Sequence, residues 1–133
     1  MIGLDTNVLL RYLMGDDVEQ QARAKRLIDD TLASGEKLFV SLVTLVEVVW
    51  TMRSAFGVSR DALCDAVAAL ANTPGVVLHE QAAVERAVGL SQAVGCDLPD
   101  ALIAELGRQA GCHHTATFDV SATKKLPAMQ LVG

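Results

Sequence analysis

The amino-acid sequence predicts an α/β fold in which a short, mostly parallel sheet carries helices on both faces. Short apolar strand-like segments alternate with longer segments whose apolar residues have helical spacing, as in successive β–α–β units. Hydrophobic residues make up 51% of the chain but aromatic residues only 4%. The core must therefore consist of Val, Leu, Ile and Ala, which suit helices packed on a parallel sheet.

The predicted elements follow one another with short connections. Glycines stop several helices (Gly15, Gly57, Gly95), and Asp16 or Asp17 can cap the second helix. Strands are predicted at 1–5, 38–40, 76–78, 114–117 and 129–132. Helices are predicted at 6–14, 17–33, 41–56 (beginning at Ser41 or Thr44), 59–72, 81–94 and 97–107 or slightly beyond. The length of 133 residues and the absence of a linker predict a single domain spanning residues 1–133.

Composition narrows the class of protein. No apolar stretch approaches the roughly 20 residues of a membrane span, and no basic segment precedes an apolar run at the N-terminus. We therefore expect a soluble, cytoplasmic protein. The odd number of cysteines, three, without C-x-x-C spacing, predicts buried free thiols. The net charge of −5 is unfavourable for a nucleic-acid partner, although a bound divalent cation would offset part of it locally.

Acidic residues occur at positions where α/β proteins bind ligands. Asp5 and Asp119 each follow a predicted strand, and Asp100 stands in the first turn of a predicted helix. Each has a simpler interpretation: Asp5 could cap the following helix, Asp119 could be a turn residue, and Asp100 could stabilise its helix N-terminus. Asp97, beside Asp100, is best interpreted as an N-cap.

Glu47 stands in the apolar segment LVTLVEVVW, with no solvated helix face evident over two turns. Positions three and four residues away carry no Lys or Arg. A buried carboxylate is costly unless it is paired or bound to a metal, so this pattern predicts a functional carboxylate. The alternative is a partner distant in sequence, or a carboxylate that reaches solvent at the helix edge.

Together the four acids predict a pocket for a hard cation such as Mg²⁺ or Mn²⁺, which prefers oxygen ligands. Such an ion can make a water molecule nucleophilic or stabilise charge on a phosphoryl group. The three histidines lack metal-ligand spacing, and neither G-x-S-x-G nor a P-loop is present. A haloacid-dehalogenase-type phosphatase is disfavoured because Asp5-Thr6-Asn7 lacks the second acid of that motif.

Four segments, in this order, resemble the PIN-domain family, and more narrowly the VapC toxins of bacterial type II toxin–antitoxin systems. They are GLDTNVLLRYL, SLVTLVEVVWTM, CDLPDALIAELGRQAGC and ATFDVSATKKLPAMQLV. The resemblance extends from Ile2 to Val132. It implies a three-layer α/β/α sandwich, Mg²⁺- or Mn²⁺-dependent endoribonuclease activity, a homodimer and inhibition by a cognate antitoxin.

The resemblance also implies roles for individual residues. Asp5, Glu47 and Asp100 match the three near-invariant acids around the metal, and Asp119 matches a more variable fourth. Asp97 matches an additional acid frequent in this subgroup. Polar residues near the acids match site-orienting positions, and these together with one nearby arginine are candidate RNA contacts: Thr6, Asn7, Arg11 and Thr117.

The working hypothesis is a ribonuclease toxin in which a metal-activated water hydrolyses the RNA phosphodiester. Asp5 and Asp100 would anchor the cation, Glu47 would ligate it directly or through water, and Asp119 would complete the pocket. The alternative is a regulatory module that binds RNA or protein without catalysis. The expected burial of Glu47 favours the enzyme, because a pure binding module has little reason to keep a buried carboxylate.

Overall fold

The computed structural model describes all 133 residues, which form seven helices and five short strands. In chain order they are β1 (Ile2–Gly3), α1 (Thr6–Met14), α2 (Val18–Ala33), β2 (Leu38–Val40), α3 (Leu42–Ser54), α4 (Arg60–Ala71), β3 (Val76–Leu78), α5 (Gln81–Val94), α6 (Leu98–Gln109), β4 (Thr115–Thr117), α7 (Val120–Lys125) and β5 (Met129–Leu131).

The first of two compact units comprises residues 1–58 and 69–80. Its strands form a parallel sheet in the order β1-β2-β3, with Leu38 paired to both Ile2 and Val76. Helix α1 packs against α2 and α3. Leu9, Leu38, Val40 and Val48 are almost completely buried in this unit, so its core is aliphatic, as the composition predicts.

Local sequence sets the ends of these helices. Asp17 accepts a hydrogen bond from the Gln20 backbone N–H at 2.9 Å and begins α2. Ser41 accepts one from Thr44 at 3.1 Å and begins α3. Gly15 ends α1 with a φ of 65°, a left-handed conformation that glycine adopts without steric cost.

The second unit comprises residues 59–68 and 81–133. Helix α5 packs on α6, and β4 pairs in parallel with β5, with Thr115 opposite Met129. Helix α6 also carries a buried carboxylate, Glu105, which accepts hydrogen bonds from Arg86 and from Arg108, the latter at 2.6 Å. This three-residue ion-pair group attaches α6 to α5.

The α/β class predicted from the sequence is confirmed: helices alternate with short strands, and every strand pair is parallel. Hydrogen bonding divides the strands into one three-stranded and one two-stranded sheet. Helix α7 was not predicted, because its six residues are too few to show periodicity. Buried thiols were predicted for all three cysteines; this holds for Cys64 and Cys96 but is wrong for Cys112, which is exposed.

None of the helices combines the length and the apolar character needed to cross a membrane.

Candidate functional site

Asp5 lies at the carboxyl end of β1 and occupies the N-cap position of α1. Its backbone carbonyl accepts the first helical hydrogen bond, from Leu9 N at 3.1 Å. The side chain is exposed and forms no capping hydrogen bond. The simpler interpretation, that this acid is a helix cap, therefore does not account for its carboxylate, which remains available to a ligand.

Glu47 is exposed, and the prediction of a buried carboxylate is wrong. Val43 and Trp50, four residues before and three residues after it, lie on the same helix face and are 69% and 65% exposed. The apolar sequence around Glu47 therefore marks an exposed apolar face of α3 rather than burial on all sides. Its setting no longer argues by itself for a functional carboxylate.

The position of Glu47 is nevertheless well defined. Thr6, the first residue of α1, donates a hydrogen bond from Oγ1 to Glu47 Oε2 at 2.7 Å. One turn earlier in α3, Thr44 Oγ1 donates to the carbonyl of Leu4 at 3.5 Å. These two bonds attach the first half of α3 to the chain on either side of Asp5, so the first unit places Glu47 close to the end of β1.

The second unit brings three acids together around the start of α6. Asp100 lies in the first turn and is half-buried. Burial raises the pKa of Asp100, and the negative charges of Asp97 and then Asp119 raise it further. Each of these neighbours is thus close enough to act electrostatically on Asp100, although Asp119 is distant from it in sequence.

Asp97 stands at the N-cap of α6, as predicted, but its side chain makes no capping hydrogen bond. The interpretation of its carboxylate as a cap is therefore wrong. The N-terminus of α6 instead has Pro99, which lacks an N–H donor, so one of the usual orphan donors is absent. The charge of Asp97 acts on Asp100, which gives Asp97 a place in the acidic cluster.

Asp119, for which the simpler interpretation was a turn residue, is instead the N-cap of α7. Its Oδ1 accepts a hydrogen bond from Ala122 N at 3.0 Å and caps α7. Its own N–H donates to Thr117 Oγ1 at 3.0 Å. Thr117, a candidate RNA contact, thus holds the backbone that positions Asp119. The capping bond uses one carboxylate oxygen and leaves Oδ2 outside the cap.

All the predicted ligands are carboxylates, the donor type that Mg²⁺ and Mn²⁺ prefer. A cation beside Asp100 would oppose both the burial and the like charges that raise its pKa, so the chemistry of these residues fits such an ion. No group of three or more His, Cys, Asp or Glu side chains is arranged to hold a metal in the present conformation. The metal site predicted from the sequence therefore stays a prediction.

Two of the candidate RNA contacts, Asn7 and Arg11, line a cleft between α1 and α2 with a volume of about 370 Å³. Arg11 Nη1 forms an ion pair with Asp16 at 2.6 Å, and Arg11 Nε donates to Gln20 at 2.8 Å. Arg23 of α2 also lines the cleft. The sequence alone did not single out Arg23, because its position beside α1 results from the packing of α2 on α1.

The family of the chain is established by comparison with known protein families. The family model described as PIN domain matches residues 2–125. No curated protein sequence matches significantly. A chain in a solved toxin–antitoxin complex from Klebsiella pneumoniae is 22% identical; the alignment covers 98% of this chain and 96% of that chain, with a TM-score of 0.38. Because the family model spans nearly the whole chain and includes all four predicted acids, the protein belongs to the PIN domain family, whose members are generally nucleases.

Proposed function

We propose that this protein is a metal-dependent endoribonuclease that hydrolyses RNA phosphodiesters. The observation that carries the proposal is the PIN-domain match over residues 2–125. In this proposal Asp5, Glu47 and Asp100 hold a Mg²⁺ or Mn²⁺ ion, and Asp119 is a further catalytic acid. When bound, such an ion supplies a nucleophilic water and neutralises charge that develops on the phosphate.

In the first unit, the Thr6 side chain positions Glu47, and the start of α1 positions Asp5. The Thr6 hydroxyl donates to Glu47 Oε2 at 2.7 Å, which restricts the rotamers of the carboxylate. Asp5 is fixed through its backbone at the start of α1 while its carboxylate remains exposed. Thr6 is thus a positioning residue in this proposal rather than a catalytic one.

In the second unit, the cluster of Asp97, Asp100 and Asp119 supports a cation role for Asp100. Burial raises the pKa of Asp100, and the like charges of Asp97 and Asp119 raise it further, so the ionised carboxyl is disfavoured there. No Lys or Arg is among the groups that act on the Asp100 carboxyl. A bound divalent cation would supply such a counter-charge and would oppose the rise in the pKa of Asp100.

The test is cleavage of a panel of transfer and ribosomal RNAs by the purified protein with Mg²⁺, with Mn²⁺ and with excess chelator. We expect cleavage with either metal and none with chelator. Asp5→Asn and Asp100→Asn should each lower kcat/KM by more than about 100-fold, since even outer-shell partners of a metal cost roughly 10- to 100-fold. Asp65→Asn, an exposed acid on α4, is the matched control and should retain full activity.

Full activity in Asp5→Asn or Asp100→Asn, with trace nuclease excluded, would overturn the assigned ligands. Cleavage unaffected by chelator would overturn metal dependence. RNA binding without cleavage under any metal condition would favour the alternative, a binding module. Glu47 is exposed, so its burial cannot distinguish the ribonuclease from the binding module. The cleavage experiment distinguishes them.

We further propose that the protein is the toxin of a VapBC-type pair, that it forms a homodimer and that an antitoxin protein inhibits it. The support is the resemblance of the four acidic segments to VapC toxins. Expression of the chain alone should arrest bacterial growth, and Asp100→Asn should abolish the arrest. Light scattering coupled to gel filtration should give twice the mass of the 14.1 kDa chain; a monomer would contradict the proposed dimer.

A further inference from the structure

The cleft between α1 and α2 is a concave surface of the first unit, and none of the four predicted acids lines it. Its volume of about 370 Å³ lies within the range of small-ligand sites. Helix α1 contributes Asn7, Val8 and Arg11 to the lining, and α2 contributes Arg23 and apolar side chains. The apolar wall is formed by Val8, Ala24 and Leu27.

The charge of the cleft differs from that of the chain. The protein has a net charge of −5, yet two arginines and no carboxylate line this cleft. Arg11 is engaged by Asp16, just outside the lining. Arg23 is exposed and forms no ion pair, so its guanidinium can meet an anion without first releasing a partner.

We propose that this cleft binds a nucleotide of single-stranded RNA, with Arg23 and Arg11 on its phosphate and its base against the apolar wall. The proposal rests on the proposed ribonuclease function. Guanidinium groups bind phosphate oxygens through two parallel hydrogen bonds. Leu27, which is 41% exposed, is the accessible apolar residue of the wall, and an unstacked base can cover it.

The cleft also lies next to the predicted metal ligands along the chain. Asn7, in the cleft lining, is two residues beyond Asp5 and follows Thr6, which holds Glu47. RNA seated in the cleft would therefore pass close to the start of α1, where Asp5 is exposed. Positive charge in the cleft explains how an acidic protein can retain a polyanionic substrate.

The experiment measures fluorescence anisotropy of a short labelled single-stranded RNA with Mg²⁺ present, in an Asp100→Asn background that prevents cleavage under the proposed function. Arg23→Gln removes the free arginine of the cleft. Arg26→Gln is the matched control: it lies on the same helix, is also exposed and is absent from the cleft lining. Circular dichroism verifies that each variant is folded.

We expect Arg23→Gln to raise the Kd about tenfold, as for loss of a charge-assisted phosphate contact. The slope of log Kd against log salt should become shallower by about 0.7, the value for one phosphate contact on a single strand. Arg26→Gln should change the Kd less than about twofold. Asp16→Asn should tighten binding about threefold, because it frees Arg11 from its ion pair.

Equal effects of Arg23→Gln and Arg26→Gln would overturn the inference. It would also be overturned if Arg23→Gln left RNA binding unchanged but weakened binding of poly(glutamate), since the cleft would then recognise an acidic peptide. These results are distinguishable from failure of the proposed function. Weaker RNA binding by Arg23→Gln, in a protein that cleaves no RNA with any metal, would sustain the cleft and refute the nuclease.

Discussion

Replacing Thr6 by Val tests whether the hydrogen bond to Glu47 serves catalysis. Val has nearly the shape of Thr and the same branching at Cβ, but it lacks the hydroxyl that donates to Glu47 Oε2 at 2.7 Å. The backbone of α1 should be unaffected, because the helix begins at the Asp5 carbonyl and not at the Thr6 side chain. The substitution therefore isolates one bond.

The size of the effect follows from the surroundings of the bond. A hydrogen bond to a charged group contributes about 1.5–3 kcal/mol net. Glu47 is exposed and Thr6 is half-buried, so water can replace part of the lost bond, and we expect about 1 kcal/mol. At about 1.4 kcal/mol for each factor of ten, kcat/KM should fall about fivefold. The Mg²⁺ concentration for half-maximal activity should rise, because Glu47 is then less well positioned.

The assay is steady-state RNA cleavage over a series of Mg²⁺ concentrations, for wild type, Thr6→Val and Thr6→Ser. Thr6→Ser keeps the hydroxyl and should restore activity and Mg²⁺ dependence to nearly wild-type values. Thermal unfolding should show Thr6→Val to be within about 0.5 kcal/mol of wild type. Wild-type Mg²⁺ dependence in Thr6→Val, or equal losses in the Val and Ser variants, would refute a positioning role for this hydroxyl.

Three further predictions concern stability. Glu105→Gln should destabilise the protein by about 2 kcal/mol in urea unfolding, because it weakens charge-assisted bonds to two arginines; an unchanged midpoint would contradict this. The arginines lower the pKa of Glu105 below its ordinary value of 4.5, so its contribution is complete above that pH and is lost as the pH falls further; a Glu105→Gln variant should lack this acid-dependent loss. Gly107→Ala should destabilise the protein, because the new Cβ would lie 2.7 Å from Thr115 Oγ1. Gly89→Ala, with open space around the new Cβ, should stabilise its helix by about 0.5–1 kcal/mol. Equal thermal midpoints of the two variants would refute the steric argument.

The regular part of the fold was predictable from local sequence. The bounds of α1 and α5 match the prediction because each helix has clear hydrophobic periodicity and a glycine at its end. The bounds of β2 and β3 match because each is a short apolar run between polar or glycine residues. Helix α7 was not predictable in this way. Six residues make too few turns to show a periodic pattern, and the helix depends on the Asp119 cap.

The candidates for chemistry are already apparent in the sequence: acids after strands, an acid in a helix first turn and an acid in an apolar segment. How each carboxylate is used depends on the folded arrangement. The apolar segment around Glu47 predicted burial, but hydropathy alone does not tell which side of a helix is covered, and α3 leaves the side with Val43 and Trp50 exposed. The Asp119 carboxylate caps a helix and the Asp97 carboxylate does not, since capping depends on where a side-chain oxygen points. The electrostatic effect of Asp119 on Asp100 is likewise a tertiary property, because distance in space, and not in sequence, sets the strength of a charge interaction.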